Sequence, residues 1–309
     1  MLHRIRRILV ALDVDPDGGA LTTGSRYAVD HALELAPALD ASVLLFHSTA
    51  TDEVWDPNTD AYATAREREA GKRTPGLEQA EARLRAAGVS VELALTTETA
   101  WLGIIHRVLR DGIDLVIAGK RNENDRRGHR LGSVSMKLLR KCPCAVWVVK
   151  PEGAAIPERV LAATDLTPVG ERVVEYAAFV ADLASADLHV VHSFQRPLHI
   201  QLEGEESIAN FAKHQSRERL QELKEQVSQA KCSRKASYYV GIDSPTHAIL
   251  HCQEETDADL VVMGTVSRGG VAGLLVGNTA ERLLGRLDCS LLTVKPEDFV
   301  CPVAGEPVE

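Results

Sequence analysis

The chain repeats itself, and that repeat limits the folds open to it. An apolar run at residues 8–12 ends at Asp13, and another at 160–164 ends at Asp165, 152 positions later. Further along, the spacing settles at 145: Gly264 matches Gly119, Gly277 matches Gly132, and Lys295 matches Lys150. The difference of seven places a net deletion between the first and fourth strands of the second copy. Copies of this size are tandem domains rather than a solenoid, whose units span roughly 20–50 residues. The length of 309 residues also exceeds what one core commonly serves.

Within each copy, short apolar runs alternate with helical patterns. In the first copy the runs fall at 8–12, 42–46, 89–95, 114–119 and 145–149, with helical spacing at 27–35, 77–87, 101–109 and from Ser133 onward. In the second they fall at 160–164, 188–191, 237–240, 260–263 and 291–294, with helical spacing at 173–183, 207–230 and 246–255. Such alternation predicts a parallel sheet covered by helices on both faces. The fold class is therefore α/β, with two tandem Rossmann-like domains of five parallel strands each. The expected boundaries are a first domain at 1–150, a linker at 151–157, a second domain at 158–296 and a tail at 297–309. Ligands of such sheets sit beyond the strand carboxyl ends, at the switch point. That points to the loops after strand one (Asp13, Asp165) and strand four (Gly119, Gly264).

The formal charge of −9 argues against nucleic acid as a main partner, because phosphate binding needs a basic face. No stretch approaches the ~18 consecutive apolar residues of a membrane span, so no membrane partner is expected. The basic, apolar start is broken by Asp13 and Asp15 and reads as a first strand rather than a signal peptide. Six scattered cysteines suggest no disulfide framework, and a cytoplasmic location is expected.

The two glycine loops share a spacing. Gly119 is followed by Asn122 and then Gly132-Ser133; Gly264 is followed by Ser267 and then Gly277-Asn278-Thr279. A glycine loop feeding a helix N-terminus aims backbone N–H groups at an anion. Glycine at a strand end also permits φ > 0, and helix starts need Ser, Asn or Thr caps with or without a ligand.

This spacing, in its strand–loop–helix context, resembles the universal stress protein family, whose nucleotide-binding members carry Gly-x2-Gly-x9-Gly-Ser/Thr after the fourth strand. GSVSMKLLRKCPCAVWVV and GNTAERLLGRLDCSLLTV resemble the family's last helix and strand, and ATDLTPVGERVVEYAAFVADL its first strand and helix. The closing KPEDFVCPV is similar to the tandem subgroup called type E. The resemblance implies adenine-nucleotide-hydrolase-like domains, ATP with Mg²⁺ as ligand, and a stress-response role. It also implies an internal pseudo-dimer in which the segment from Cys144 to Val149 meets that from Ser290 to Val294, with a homodimer as a further option.

The ligand positions implied in the second half are Asp165, Gly241, Gly264, Ser267, Gly277, Asn278 and Thr279. In the first half they are Asp13, Gly119, Asn122, Gly132 and Ser133. Both halves depart from the pattern. Its second glycine is Asn122 in one and Ser267 in the other, and Asn278 stands where binders have Ser or Thr. Arg126, Arg127 and Arg130 either attract phosphate or are solvated surface, and Trp101 fills space where the second half has its Gly241 loop. The small apolar loop RGGVAGLLV suits close approach, so the second half is read as the better cleft.

Other chemistry is sparse. His247 and His251 are spaced i, i+4 with Cys252 beside them, a zinc candidate weighed against an ordinary helix face, which is preferred. Cys142-Pro-Cys144 is one residue short of CxxC and reads as buried structure. With neither Gly-x4-Gly-Lys-Ser/Thr nor Gly-x-Ser-x-Gly present, the chain is at most a slow ATPase. The long connections at 49–75 and 195–215 read as lids over a cleft, as a partner surface, or as ordinary connections with a small core of their own. Two other readings stay open. One is a module for an apolar or lipid-like ligand using residues 271–276 and the lids; the other is a ligand-free interaction protein.

Overall fold

In this computed structural model the described residues are 5–15, 18–50, 73–120, 132–151, 155–195, 197, 205–242, 244–265, 283 and 286–303. They fall into two compact units. One takes residues 5–155 together with 299–303, and the other runs from Ile156 to Asp298.

The strands of the first unit are β1 (Arg7–Leu12), β2 (Ser42–Ser48), β3 (Val91–Thr96), β4 (Leu115–Gly119) and β5 (Ala145–Val149). They pair in the order β3-β2-β1-β4-β5, all parallel. Central parallel strands are covered on both faces and so read as continuous apolar runs. Accordingly Ile8, Leu9 and Val10 of β1 are wholly buried. The covering helices are α1 (Thr23–Leu39), α2 (Pro75–Ala86), α3 (Ala100–Asp111) and α4 (Ser133–Lys141). α1 turns Ala28, Ala32, Leu35 and Ala36 inward, the i, i+4 stripe of a core-facing helix.

The second unit repeats the plan. β6 (Arg159–Ala163), β7 (Asp187–Ser193), β8 (Ala236–Gly241), β9 (Leu260–Gly264) and β10 (Ser290–Val294) pair in parallel in the order β8-β7-β6-β9-β10. Its described helices are α5 (Pro168–Ala184), α6 (Glu205–Gln229) and α7 (Pro245–Thr256). In both units the first strand lies between the second and the fourth, so the switch point falls between β1 and β4, and between β6 and β9.

The copies match more tightly than sequence spacing alone indicates. The α1 cap Thr22 and the α5 cap Thr167 are already 145 apart, as are the starts of β2 and β7, β3 and β8, β4 and β9, and β5 and β10. All seven extra residues therefore lie in the loop after β1. Nine positions separate Asp13 from Thr22, whereas two separate Asp165 from Thr167. The longer loop folds as a small hairpin. Val14 bridges Leu21, the Asp15 N–H donates to Ala20 O at 2.7 Å, and the Gly76 N–H reaches back to Gly19 O at 3.0 Å.

α6 begins at Glu205, in keeping with the helical spacing at 207–230, so residues 205–215 of the supposed second lid are part of a 25-residue helix, with Phe211 set edge-on to Phe194. The remainder of that stretch (residues 198–204, with Arg196) and most of the other long connection (51–72) lie outside the described residues. At the other end of the chain, Cys301 and Val303 are buried in the first unit, and Cys301 Sγ donates to Lys141 O at 3.5 Å.

Candidate functional site

The carboxyl ends of β1 and β4 are closed by a contact between main chains. A Cβ on Gly119 would lie 2.2 Å from the Gly24 carbonyl carbon, and one on Gly24 would lie 2.6 Å from Lys120 O. Two glycines thus seat the first turn of α1 on the end of β4. Asp13 is exposed at the mouth. Its N–H donates to Ser25 Oγ at 2.7 Å, and its Oδ1 accepts from the Val14 N–H at 3.0 Å. Thr22 caps α1 by accepting from the Ser25 N–H.

In the second unit the same place is built differently. A Cβ on Gly264 would meet the Val169 γ-methyl at 2.8 Å, so a side chain fills the gap that backbone fills in the first unit. Asp165 is half-buried and already engaged: Thr167 donates both its N–H, at 3.1 Å, and its hydroxyl to Oδ1. Leu166 between them has φ +60, a left-handed conformation uncommon for a non-glycine residue. It is held by its N–H on Thr164 Oγ1 at 3.1 Å, whose hydroxyl donates in turn to Gln226 Oε1 at 2.8 Å. Gly241 packs against α7, where a Cβ would stand 2.9 Å from Ala248 Cβ.

Gly132 is the exception among the implied site glycines within the described residues. Its φ of −60 and ψ of 156 suit any residue, and a Cβ there would have no described neighbour within 4 Å. It is the N-cap of α4 and supplies no side-chain cap. The first turn of a helix has N–H groups with no intrahelical acceptor, and here they follow Gly132 and the exposed Ser133. The structure therefore gathers Asp13, Gly119, Gly132 and Ser133 on elements of the first unit, and Asp165, Gly241 and Gly264 on strand ends of the second. Asn122, Ser267, Gly277, Asn278 and Thr279 lie outside the described residues, as do Arg126, Arg127, Arg130 and residues 271–276.

Reading the chain residue by residue overlooked a matched pair of histidines. His47 on β2 and His192 on β7, 145 apart, are both buried, at 5% and 6% exposure. The His47 Nδ1 is 3.0 Å from Leu12 O, and the His192 Nδ1 is 3.0 Å from Thr164 O. Each ring thus ties its strand to the carbonyl just before the loop aspartate. The signal available in sequence was the identical His-Ser pair at the repeat spacing. The strand-end lysines entered the sequence reading only as repeat markers, at Lys150 and Lys295, and not as site residues. Lys120 follows β4 and is buried, with its N–H on Val149 O at 2.7 Å; Lys150 follows β5 and is half-buried. The equivalent positions are Thr265 and Lys295, where the Lys295 ammonium donates to the Thr265 hydroxyl.

The α7 group does not converge on one point. His247 and His251 are exposed, with ring centroids 6.2 Å apart, and His251 Nε2 is 3.4 Å from Glu255 Oε1. Cys252 is buried on the core side, where desolvation pushes its thiol up to about 12. No cluster of three metal-ligating side chains occurs among the described residues. Trp101 does more than fill space: its ring lies beneath the ammonium groups of Lys137 and Lys141 on α4, at 5.2 and 4.5 Å. Among the described residues no helix is long and apolar enough to cross a membrane.

Comparison with known proteins agrees with the duplication. The model of the Universal stress protein family matches residues 4–150 and again 157–295. Universal stress protein E of Photorhabdus laumondii is 25% identical over 253 residues, 78% of this chain and 80% of that protein. Universal stress protein E of Escherichia coli K12 is 28% identical over 235 residues, 70% of this chain and 72% of that protein. In fold, the chain is similar to the functionally unknown protein PA1789 from Pseudomonas aeruginosa PAO1. That structure is 24% identical, with a TM-score of 0.69 over 95% of this chain and 94% of the other.

Proposed function

The chain belongs to the universal stress protein family, and from that premise we propose that it is a cytoplasmic stress-response protein that binds an adenine nucleotide. Binding, rather than turnover, carries the signal. The observation that supports this reading is Gly132. Neither its backbone conformation nor its described neighbours require a glycine, yet one stands at the start of α4, where a side chain would obstruct an approaching phosphate. Backbone N–H groups of a helix start suit such a group. Lys120 and Lys150 stand at the ends of the adjacent strands.

In the first unit the phosphates are placed by Gly132 and Ser133. The exposed Asp13 carboxylate is suited to a Mg²⁺ that accompanies ATP, which would neutralise phosphate charge. In the second unit Gly277, Asn278 and Thr279 are the corresponding positions, with Ser267 earlier in the same loop. There the Asp165 carboxylate is spent on Thr167, which leaves it less able to serve a cation. The tandem is read as an internal pseudo-dimer on the strength of the duplication alone.

Isothermal titration of the intact chain with MgATP tests the proposal. Saturable heat that Gly132→Val or Gly277→Val diminishes is the expected result, and the two variants separate the two clefts. Absence of heat from the unsubstituted protein would overturn it.

A further inference from the structure

We infer that Cys142 and Cys144 are a reversible dithiol–disulfide pair, a redox modification site at the junction of α4 and β5. Their sulfurs are 3.5 Å apart in the reduced chain, and a disulfide needs about 2.05 Å. Only Pro143 separates them, and its fixed φ limits how far the two side chains can diverge. No disulfide joins any of the six cysteines.

The repeat supplies a control for the alternative, that burial alone accounts for the pair. The equivalent run in the second half is Leu287-Asp288-Cys289. Leu287 stands where Cys142 stands and is as well buried, at 3% exposure against 0%. The fold is therefore satisfied by an apolar side chain at this position, and the second thiol is particular to the first half. A third thiol lies close by, since Cys301 of the C-terminal tail reaches the carbonyl of Lys141, the residue before Cys142.

Burial sets the character of the switch. Desolvation, with the neighbouring Cys142, holds the Cys144 thiol well above its ordinary range, so the reactive thiolate is scarce. The disulfide is uncharged and burial does not oppose it. Formation is slow and answers sustained rather than brief oxidation. A ring closed over three residues is strained, and strained disulfides are readily reduced.

With hydrogen peroxide as oxidant the step balances. One thiolate attacks the peroxide, the O–O bond breaks, and a sulfenic acid forms while the departing hydroxide takes up the proton that the thiol released on ionising, giving one water. The second thiol then attacks that sulfur and expels the other water, so the peroxide gains the two electrons that the sulfurs lose.

The test uses the full chain, exposed to hydrogen peroxide and alkylated in denaturant. Cleavage after Lys141 leaves both cysteines in one peptide. That peptide should lose two hydrogens, resist alkylation, and recover both alkyl groups after dithiothreitol. Cys142→Leu, the residue used in the second half, should keep the unfolding midpoint and abolish the two-hydrogen loss. Full alkylation of both cysteines after prolonged oxidation would overturn the inference, and so would a cross-linked peptide joining either of them to Cys301.

Discussion

Gly119 and Gly24 pack main chain to main chain. A Cβ built on Gly119 would stand 2.2 Å from the Gly24 carbonyl carbon and 2.3 Å from its oxygen. Backbone at both sides leaves no side chain to yield. At the equivalent position in the second unit, the close described neighbour of Gly264 is a side-chain atom, a Val169 γ-methyl at 2.8 Å, with Val169 Cβ and a Val173 γ-methyl at 3.9 Å. Gly119→Ala should therefore cost about 2–3 kcal/mol, the overpacking range, while Gly264→Ala should cost under about 1 kcal/mol. Trp55, Trp101 and Trp147 are the only tryptophans and all lie in the first half, so indole fluorescence in urea follows that unit, and circular dichroism follows both. Equal shifts for the two variants would contradict the argument.

Much of this fold is legible in the sequence. Two domains, five parallel strands in each and the strand-end loops all follow from the spacing of Gly119, Gly264, Lys150 and Lys295 and from apolar runs such as residues 8–12. The role of each glycine could not be read. Sequence shows that a residue lacks a side chain but not what occupies the place of the missing atom. Gly24 backbone, Val169, Ala248 and the absence of any described neighbour are four different answers, at Gly119, Gly264, Gly241 and Gly132. The buried histidines were hidden for a related reason. Their partners are carbonyls 35 and 28 residues away, which only strand register brings near.

That register carries the second prediction. Replacing His47 by Ala removes a buried donor and leaves Leu12 O without that hydrogen bond, at a cost of about 1–3 kcal/mol. His192→Ala should cost the same within error, because Thr164 O is served in the same way. Asn at either position, with its amide donor, should recover part of the loss. Urea midpoints by circular dichroism check all four variants. An effect confined to one half would show that the matched geometry does not carry matched energy.

His31 makes the first unit sensitive to mild acid. The ring is buried, hydrogen-bonded at Nδ1 to Tyr27 O at 2.9 Å and set edge-on to Trp147 with centroids 5.6 Å apart. Burial lowers its pKa in the folded chain from 6.5. Below pH 6.5 the unfolded chain takes up a proton that the folded chain refuses. Stability therefore falls as pH drops through that value, and levels off once the folded ring also protonates. His31→Gln should reduce the difference in Trp-detected unfolding midpoint between pH 7.5 and pH 5.5. An undiminished difference would assign the acid sensitivity to other groups.

Leu166 tests whether the short loop of the second unit is held under strain. Its φ of +60 costs an L-residue roughly 1–2 kcal/mol, and the chain meets that cost through the bonds on Thr164 and Asp165 around it. Leu166→Gly removes the steric penalty, but it frees the unfolded chain by a comparable roughly 0.5–1 kcal/mol and gives up a half-buried side chain. Its net effect should be small. Leu166→Val keeps an apolar side chain but adds β-branching, which resists the left-handed region, and should cost about 1 kcal/mol or more beyond the glycine variant. Circular dichroism in urea reads the order, while Trp fluorescence stays unchanged because every tryptophan lies in the first half. If valine is tolerated as well as glycine, the loop relaxes out of the left-handed region without loss. The bonds on Thr164 and Asp165 then hold the loop without storing strain at Leu166.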